Sequence, residues 1–385
     1  MTAYLDHHAT TPCADEVLDA MAPYWQQRFG NAASRGHRMG IEARRATETA
    51  RGQVAAFVGA SPKEVVFTSG ATESNNLALL GMARAAMRAG RSAHVVTVAT
   101  EHKAVLDPVA QLLREGAGAT VLPVDGQGLV DPDDVAAALR DDTVLVSVMA
   151  VNNEIGVCQD LDAIGAVCGA RGIPLHTDGA QAGWTGLDLG GTPVDLVSLS
   201  GHKIYGPKGV GALIVRRRRP ALELEPLQYG GGHERGLRSG TLPVPLLVGM
   251  GAACELVASE RSVQGPRLAA LRDRLWARLD AVGGVSRNGA PGAPHNLNVS
   301  IEGVEAQALL VAVRDVVAMS TGSACSSATL TRSHVLVALG LSDEAVATSV
   351  RIGLGRSTTE EQVDEVADAL VAKIDELRGL SHLYE

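Results

Sequence analysis

Short apolar runs that alternate with longer helix-like spans are the feature that most restricts how this chain folds. Five such runs cover residues 65–68, 94–99, 144–149, 173–176 and 194–199. Parallel strands need a helical crossover between them, and strands buried on both faces are apolar throughout. The pattern therefore predicts an α/β domain whose mainly parallel sheet is covered by helices on both faces.

Polar residues follow the end of each apolar run. In a parallel sheet the carboxyl ends of the strands open onto one crevice, where α/β proteins bind ligands. A polar residue after a single strand is usually a helix cap, but several loops together would deliver polar groups to one place. The candidate site residues are Thr72, His102, Asn153, Asp178, Gln181, Ser200, His202 and Lys203.

Composition and charge limit the partners. The net charge of −9 argues against a surface dedicated to nucleic acid, which needs clustered Lys and Arg. No apolar run approaches the ~20 residues of a membrane helix, and residues 1–11 lack the basic start and apolar core of a signal peptide. We therefore expect a cytoplasmic protein that binds neither membrane nor nucleic acid directly.

Cysteine and histidine usage argues against a structural metal. The five cysteines are scattered and form no CxxC pair, which is typical of free thiols in a reducing compartment. The neighbouring His7 and His8 would point to opposite faces of a strand. We therefore predict no metal site.

Four of the polar features have a chemical reading and a structural one. Residues 69–72 open a helix, so they either hold a phosphate on free N–H groups or form a simple cap through Thr72. Asp178 is either a partner for a protonated ring nitrogen or a satisfied turn residue. His102 either stacks on a flat ring or lies in the core, and Lys203 either forms a Schiff base or is a surface lysine. A phosphate cradle, an Asp and a strand-end Lys are together the parts of a pyridoxal 5′-phosphate site.

Eight strings of the sequence resemble those of the NifS/IscS group of cysteine desulfurases, which have the class V aminotransferase fold type. They run in the family's order across about residues 4–381, and they are ATTP, TSGATESNN, TEHKAV, VNNEIG, SGHKIYGPKG, GGGHERGLRSGTLP, STGSACSS and RIGLGR. The resemblance implies the type I fold of pyridoxal-phosphate-dependent transferases. This α/β fold has a large domain with a mainly parallel sheet and a smaller C-terminal α+β domain.

The resemblance also implies domain boundaries. We expect residues 13–256 to form the large cofactor-binding domain. Residues 1–12 and 257–385 would form the small domain, which carries the catalytic cysteine loop at about residues 319–333.

Roles for the cofactor site follow from the resemblance, position by position. Lys203 carries the cofactor covalently, His102 stacks on its ring, Asp178 binds the ring nitrogen and Gln181 bonds the ring hydroxyl. The phosphate is held by Ala71, Thr72, Ser200 and His202, and Thr241 reaches the phosphate of the other subunit of a homodimer.

The same resemblance gives roles for the substrate. Asn153, which also adjoins the cofactor, and Arg351 hold the substrate carboxylate, for which a guanidinium fork is well shaped. Cys325, set among small polar residues, is the nucleophilic thiol, and Lys203 moves the proton from the substrate α-carbon. His102 near this thiol is our candidate for raising its thiolate fraction.

The implied activity is cysteine desulfuration. L-cysteine becomes L-alanine, and its sulfur passes to Cys325 as a persulfide for delivery to an acceptor protein. The acceptor could serve iron–sulfur cluster assembly, tRNA thiolation or DNA phosphorothioation, and the sequence leaves its identity open. The alternatives are a selenocysteine lyase or a class V aminotransferase and, in a different class, a non-catalytic sulfur-relay scaffold. An aminotransferase needs no thiol, and a scaffold needs neither Lys203 nor Asp178.

Overall fold

A computed structural model describes residues 2–321 and 332–381 of the chain. The strands are β1 (Ala3–Tyr4), β2 (Val65–Thr68), β3 (His94–Val98), β4 (Gly118–Leu122), β5 (Thr143–Ser147), β6 (Leu175–Asp178), β7 (Leu196–Ser200), β8 (Gly211–Val215), β9 (Val285–Arg287), β10 (Asn296–Ile301), β11 (Val317–Ala318) and β12 (Ser349–Gly353). The helices are α1 (Asp15–Met21), α2 (Pro23–Gln26), α3 (Arg38–Phe57), α4 (Ala71–Arg88), α5 (Lys103–Arg114), α6 (Pro132–Ala138), α7 (Leu161–Ala170), α8 (Val244–Asp280), α9 (Ala306–Val313), α10 (His334–Ala338), α11 (Asp343–Ala347) and α12 (Glu360–Ser381).

A seven-stranded sheet forms the centre of the molecule, in the order β2-β8-β7-β6-β5-β3-β4. Strands β7, β6, β5, β3 and β4 pair in parallel, whereas β8 is antiparallel to both of its neighbours, β2 and β7. Because β2 and β7 are both antiparallel to β8, they run in the same direction as each other. The predicted α/β fold with a mainly parallel sheet is therefore confirmed, and each of the five predicted runs corresponds to one of these strands.

Burial explains why the central strands are apolar. Every residue of β2, β3, β6 and β7 is buried, so these strands are enclosed on both faces by helices. Even the polar residues of this layer are paired internally. His176 of β6, for example, bonds Ser147 Oγ through Nδ1 at 2.8 Å and Ser198 Oγ through Nε2 at 3.0 Å.

A smaller sheet lies in the C-terminal part of the chain. It is antiparallel, in the order β12-β10-β9, and a separate parallel pair joins β1 to β11. The N-terminal residues extend this region, since Asp6 bridges Gly353 of β12. The helix α8 is 37 residues long and runs without interruption through the boundary expected near residue 256. The two-domain division stays a prediction.

His7 and His8 do not lie on a strand, contrary to the reasoning from sequence. They form a turn that is closed by a hydrogen bond from Ala9 N to Asp6 O at 2.9 Å. Both rings are buried, at 3% and 1% exposure. The two rings still have different neighbours, because His7 packs edge-on against Tyr4 and His8 lies on His295.

No helix in the described ranges is long and apolar enough to cross a membrane.

A buried ion pair fixes the glycine-rich segment before α8. Glu234 has a φ of 47°, a left-handed conformation that residues other than glycine rarely adopt. Its carboxylate accepts two hydrogen bonds from Arg51 of α3, both at 2.8 Å, and a third from Phe67 N of β2, also at 2.8 Å. The side chains of Arg51 and Glu234 are only 7% and 2% exposed. The pair thus holds a strained backbone against the edge of the sheet.

We predict that Glu234→Gln lowers the free energy of unfolding by about 3 kcal/mol, because the buried Arg51 guanidinium then keeps only the more exposed carboxylate of Glu48, 3.2 Å from its Nε, as a counter-charge. Urea unfolding of the cofactor-free protein measures the loss. A matched control is Glu42→Gln, which breaks the pair with Arg38, whose side chain is 90% exposed, and should barely move the urea midpoint. Equal midpoints for the Glu234 variant and the parent would show that the pair does not stabilise the fold.

Candidate active site

The carboxyl edge of the central sheet gathers the polar residues expected from the sequence. Asp178 and Ser200 are the last residues of β6 and β7, and the turn Gly201–Lys203 follows directly. His102 ends the loop after β3 and caps α5. His102 also lies close enough to Asp178 and Lys203 for both charges to influence its pKa.

The start of α4 is suited to an anion. Gly70, at the cap position, has a φ of 154°, and among the described residues no side chain caps this helix. The first N–H groups, at Ala71 and Thr72, are therefore open to a ligand. A Cβ placed on Gly70 would lie 3.9 Å from Ser200 Oγ, so the hydroxyl faces the same space.

His202 adds a neutral ring beside this cradle. Its Nδ1 lies 3.1 Å from Thr10 Oγ1. Burial, with the charges of Lys203 and Lys208, lowers the pKa of His202 to about 4. At neutral pH the His202 ring is therefore uncharged, and it can offer an anion a hydrogen bond but no positive charge.

Asp178 is held by two N–H donors. Its Oδ2 accepts a 2.6 Å hydrogen bond from Asn75 Nδ2, and its Oδ1 accepts one from Ala180 N at 2.9 Å. The carboxylate is 6% exposed and has lone pairs left for a third donor. Asn75 is not among the site residues expected from the sequence. It lies one turn after Thr72 on α4, and that helical spacing is the signal that could have found it.

Glu101 is a second carboxyl group behind the site that the sequence analysis overlooked. It is fully buried, and its Oε1 accepts a hydrogen bond from Met149 N at 2.5 Å. Burial, and then the nearby charge of Asp178, raise the pKa of Glu101 well above its ordinary value. Burial therefore favours the protonated, neutral form of Glu101, whereas Asp178 has the N–H donors that suit a carboxylate.

His102 is a neutral ring of defined tautomer. Its Nδ1 accepts a hydrogen bond from Ala104 N at 3.0 Å, so the ring proton lies on Nε2. Burial is the main cause that lowers the pKa of His102, and Lys203 adds to it. The hydrogen-bond donor of this ring is therefore Nε2.

Lys203 and Gln181 meet at the N-terminal turn. Lys203 Nζ and Gln181 Nε2 both donate to the main-chain oxygen of His8. The Gln181 side chain, on the loop after β6, is 7% exposed. Lys203, the residue expected to bind the cofactor covalently, and Gln181, expected to bond its ring hydroxyl, thus lie side by side.

Arg351 and Asn153, expected at the substrate carboxylate, are neighbours. Arg351 of β12 donates to the main-chain oxygen of Asn153 at 3.0 Å and to Asp6 Oδ1 at 2.8 Å. Within residues 2–321 and 332–381, Arg351 Nε and Asn153 Oδ1 are buried without a hydrogen-bond partner. Unpaired buried polar atoms are costly, so this corner is suited to a polar ligand. Asp6 is a further residue here that the sequence analysis did not assign.

Two expected residues are not in this arrangement. Thr241 is exposed, and within the described part of the chain its side chain makes no hydrogen bond to the groups above. Cys325 lies outside the described residues. The other four thiols are partly or fully buried, and burial raises the pKa of each of Cys13, Cys158, Cys168 and Cys254.

The donor set fits pyridoxal 5′-phosphate. An open helix N-terminus suits the phosphate, a carboxylate held by N–H donors suits a protonated ring nitrogen, and a strand-end lysine suits the aldehyde. The fold and this site together define the class: α/β enzymes that bind a pyridoxal cofactor at the carboxyl edge of a mainly parallel sheet.

Comparisons with known proteins identify the family. The model of the family "Aminotransferase class-V" matches residues 3–366. The chain is 50% identical to the cysteine desulfurase IscS of Edwardsiella ictaluri over 387 aligned residues, which cover 99% of this chain and 95% of that protein. The chain belongs to the aminotransferase class V family, and its cofactor is pyridoxal 5′-phosphate.

Solved structures agree with this assignment. A NifS-like protein superposes with a TM-score of 0.89 at 34% identity and covers 99% of this chain and 100% of its own. A structure described as SspA in complex with cysteine superposes with a TM-score of 0.81 at 38% identity, over 92% and 99% of the two chains. These relatives bear out the fold expected from the resemblance, while the role of each residue stays a prediction.

Proposed function

We propose that this chain is a cysteine desulfurase that converts L-cysteine to L-alanine and takes the sulfur onto Cys325 as a persulfide. The observation that carries the proposal is the set of Lys203, Asp178 and the open start of α4 at one sheet edge, in a chain 50% identical to IscS over nearly its whole length. A cysteine-bound relative of the same fold supports the substrate.

The cofactor binds through the residues named above. The N–H groups of Ala71 and Thr72, with Ser200 and His202, hold the phosphate, and Asp178 holds the ring nitrogen. When bound, pyridoxal phosphate serves as an electron sink for a carbanion at the substrate α-carbon. Asn75 keeps Asp178 aimed, because its 2.6 Å hydrogen bond fixes one carboxylate oxygen.

Three residues orient and deprotonate the substrate. Arg351 and Asn153 bind the amino-acid carboxylate at the corner where both have unpaired buried atoms. Lys203 Nζ removes the α-proton, and its hydrogen bond to His8 O keeps it in the site while it carries that proton.

Sulfur transfer is assigned to Cys325. Its thiolate attacks the substrate sulfur, and the bond between this sulfur and the substrate β-carbon breaks. The β-carbon keeps the bonding electrons and gains a proton, so that alanine and a Cys325 persulfide are the products. An unperturbed thiol is only ~3% ionised at pH 7. His102 raises that fraction as a donor through Nε2, because its Nδ1 lone pair is already used by Ala104 N.

The function requires a homodimer in our proposal. Thr241 is exposed and follows a segment tied to α4 by the hydrogen bond from Arg238 Nε to Glu73 Oε1, at 2.9 Å. Near the N-terminus, the large apolar side chains of Trp25 and Phe29 are 59% and 64% exposed. In our proposal a second copy covers these two side chains, and Thr241 reaches the partner's phosphate.

The sulfur acceptor is a separate protein. The names of the IscS relatives favour iron–sulfur cluster assembly as the destination, and tRNA thiolation and DNA phosphorothioation are the other routes. We place the enzyme in the cytoplasm, where free thiols such as Cys13 and Cys158 stay reduced.

We predict that Cys325→Ser keeps the bound cofactor and its colour but loses alanine and persulfide formation almost entirely. A hydroxyl is a far poorer nucleophile than a thiol at neutral pH. Mass spectrometry of the parent after addition of L-cysteine should find one added sulfur on the peptide that contains Cys325. Cys158→Ser is the matched control and should retain activity. Added sulfur on Cys13 or Cys158 instead, or alanine release by Cys325→Ser at the parental rate, would contradict the assignment.

We also predict that mixed dimers of two inactive variants regain activity. Lys203→Ala and Thr241→Ala should each abolish or strongly reduce turnover. If Thr241 serves the partner's site, a heterodimer of the two variants contains one intact site and one doubly altered site. Co-purified heterodimers with two different affinity tags should therefore show about half of the parental activity per dimer, which is the share of one site in two. An inactive heterodimer would place Thr241 in its own subunit's site.

A further inference from the structure

One main-chain oxygen connects two residues of the site. The carbonyl of His8 accepts hydrogen bonds from Lys203 Nζ and, at 3.0 Å, from Gln181 Nε2. These donors come from two different loops, one after β7 and one after β6. The N-terminal turn therefore sets where both side chains lie.

The side chain of His8 also contacts the side-chain amide of Gln181, at the oxygen end. Its Nδ1 lies 3.1 Å from Gln181 Oε1. Gln181 Nε2 donates to the main-chain oxygen of His8, and this contact fixes the orientation of the Gln181 side-chain amide. The amide oxygen, Oε1, must therefore face the imidazole ring of His8. Two acceptors cannot pair, so His8 Nδ1 carries the ring proton and donates it to Oε1.

The His8 ring is neutral and cannot turn away. It stacks on His295 with centroids 4.4 Å apart and planes at 27°. A Cβ on Gly353 would approach His8 Cδ2 to 2.6 Å, so only glycine at that position leaves room for the ring. Burial is the main cause that holds the pKa of His8 well below its ordinary value, and His295 and Arg351 add to it.

We propose that His8 is a positioning residue that makes the Gln181 amide present an N–H, and not its oxygen, to the ring hydroxyl of the cofactor. The inference rests on the proposed function, in which Gln181 bonds that hydroxyl. One hydrogen of Nε2 is used by His8 O, and the second remains for the ring oxygen.

The consequence is a change in proton affinity at the lysine linkage. A hydrogen bond donated by Gln181 Nε2 would stabilise the anionic form of the cofactor's ring oxygen. The stabilisation that this oxygen gains from the proton on the neighbouring Lys203 nitrogen would then be smaller. The linkage nitrogen then loses its proton at lower pH. In the described structure the charged or titratable groups of His295, Arg351 and Lys203 lie near His8, and His102 and His202 lie close enough to Lys203 for its charge to lower the pKa of each.

The test compares His8→Leu with His8→Asn in the cofactor-loaded protein. Both remove the stack on His295, but only Asn keeps an N–H near the position of Nδ1. A spectrophotometric pH titration of the visible cofactor band reports the proton at the linkage. We expect His8→Leu to raise the midpoint by about one pH unit, the scale of one lost hydrogen bond to a charged group, and His8→Asn to return it most of the way.

Gln181 supplies the second arm of the test. Gln181→Leu should raise the midpoint in the same direction, and the double variant His8→Leu/Gln181→Leu should shift it no further than Gln181→Leu alone. Equal midpoints in the parent and His8→Leu would overturn the proposal, as would equal shifts in the Leu and Asn variants. A visible band that does not change with pH in any of these variants would also overturn the proposal about His8. A parent protein without a visible cofactor band, or one that releases no alanine from L-cysteine, would overturn the proposed function itself.

Discussion

The direction of the strands is the constraint on which the site depends. Strand β8 is antiparallel to both β2 and β7, so β2 runs the same way as β7, β6, β5 and β3. The carboxyl ends of these strands therefore meet at one edge, and each delivers a loop there. A phosphate cradle from one loop, a carboxylate from another and a lysine from a third become one site only because of this common direction.

Several titratable side chains at this edge of the sheet favour their uncharged forms. Asp178 is fixed by Asn75 and by Ala180 N, whereas the pKa of the neighbouring Glu101 is raised well above its usual range by burial. His102 and His202 are neutral because burial lowers the pKa of each. The site can thus hold a dianionic phosphate and a cationic ring nitrogen through few charges and many directed N–H groups.

The sequence predicts the sheet well because the signal is local. An apolar run and its polar end are visible within ten residues, so β6 with Asp178 and the turn with Lys203 are found without a structure. The supporting partners are not visible in this way. Asn75 reaches Asp178 across 103 positions and His8 reaches Gln181 across 173, and no short pattern records such pairs.

The N-terminal turn shows the limit most clearly. The adjacent residues His7 and His8 would point to opposite faces if they lay on a strand, but the chain turns there and buries both rings. The glycines of the RIGLGR string make the space, since a Cβ on Gly355 would come within 2.2 Å of the His7 ring. Only the folded chain brings these two distant strings together.

The most direct test of the account is the identity of the lysine that binds the cofactor. Borohydride reduction of the purified, cofactor-loaded protein fixes the link, and mass spectrometry of the digest locates it. We expect the added pyridoxyl phosphate on Lys203 and no fixed cofactor in Lys203→Ala. An adduct on Lys103 or Lys208, or cofactor still fixed in Lys203→Ala, would contradict it.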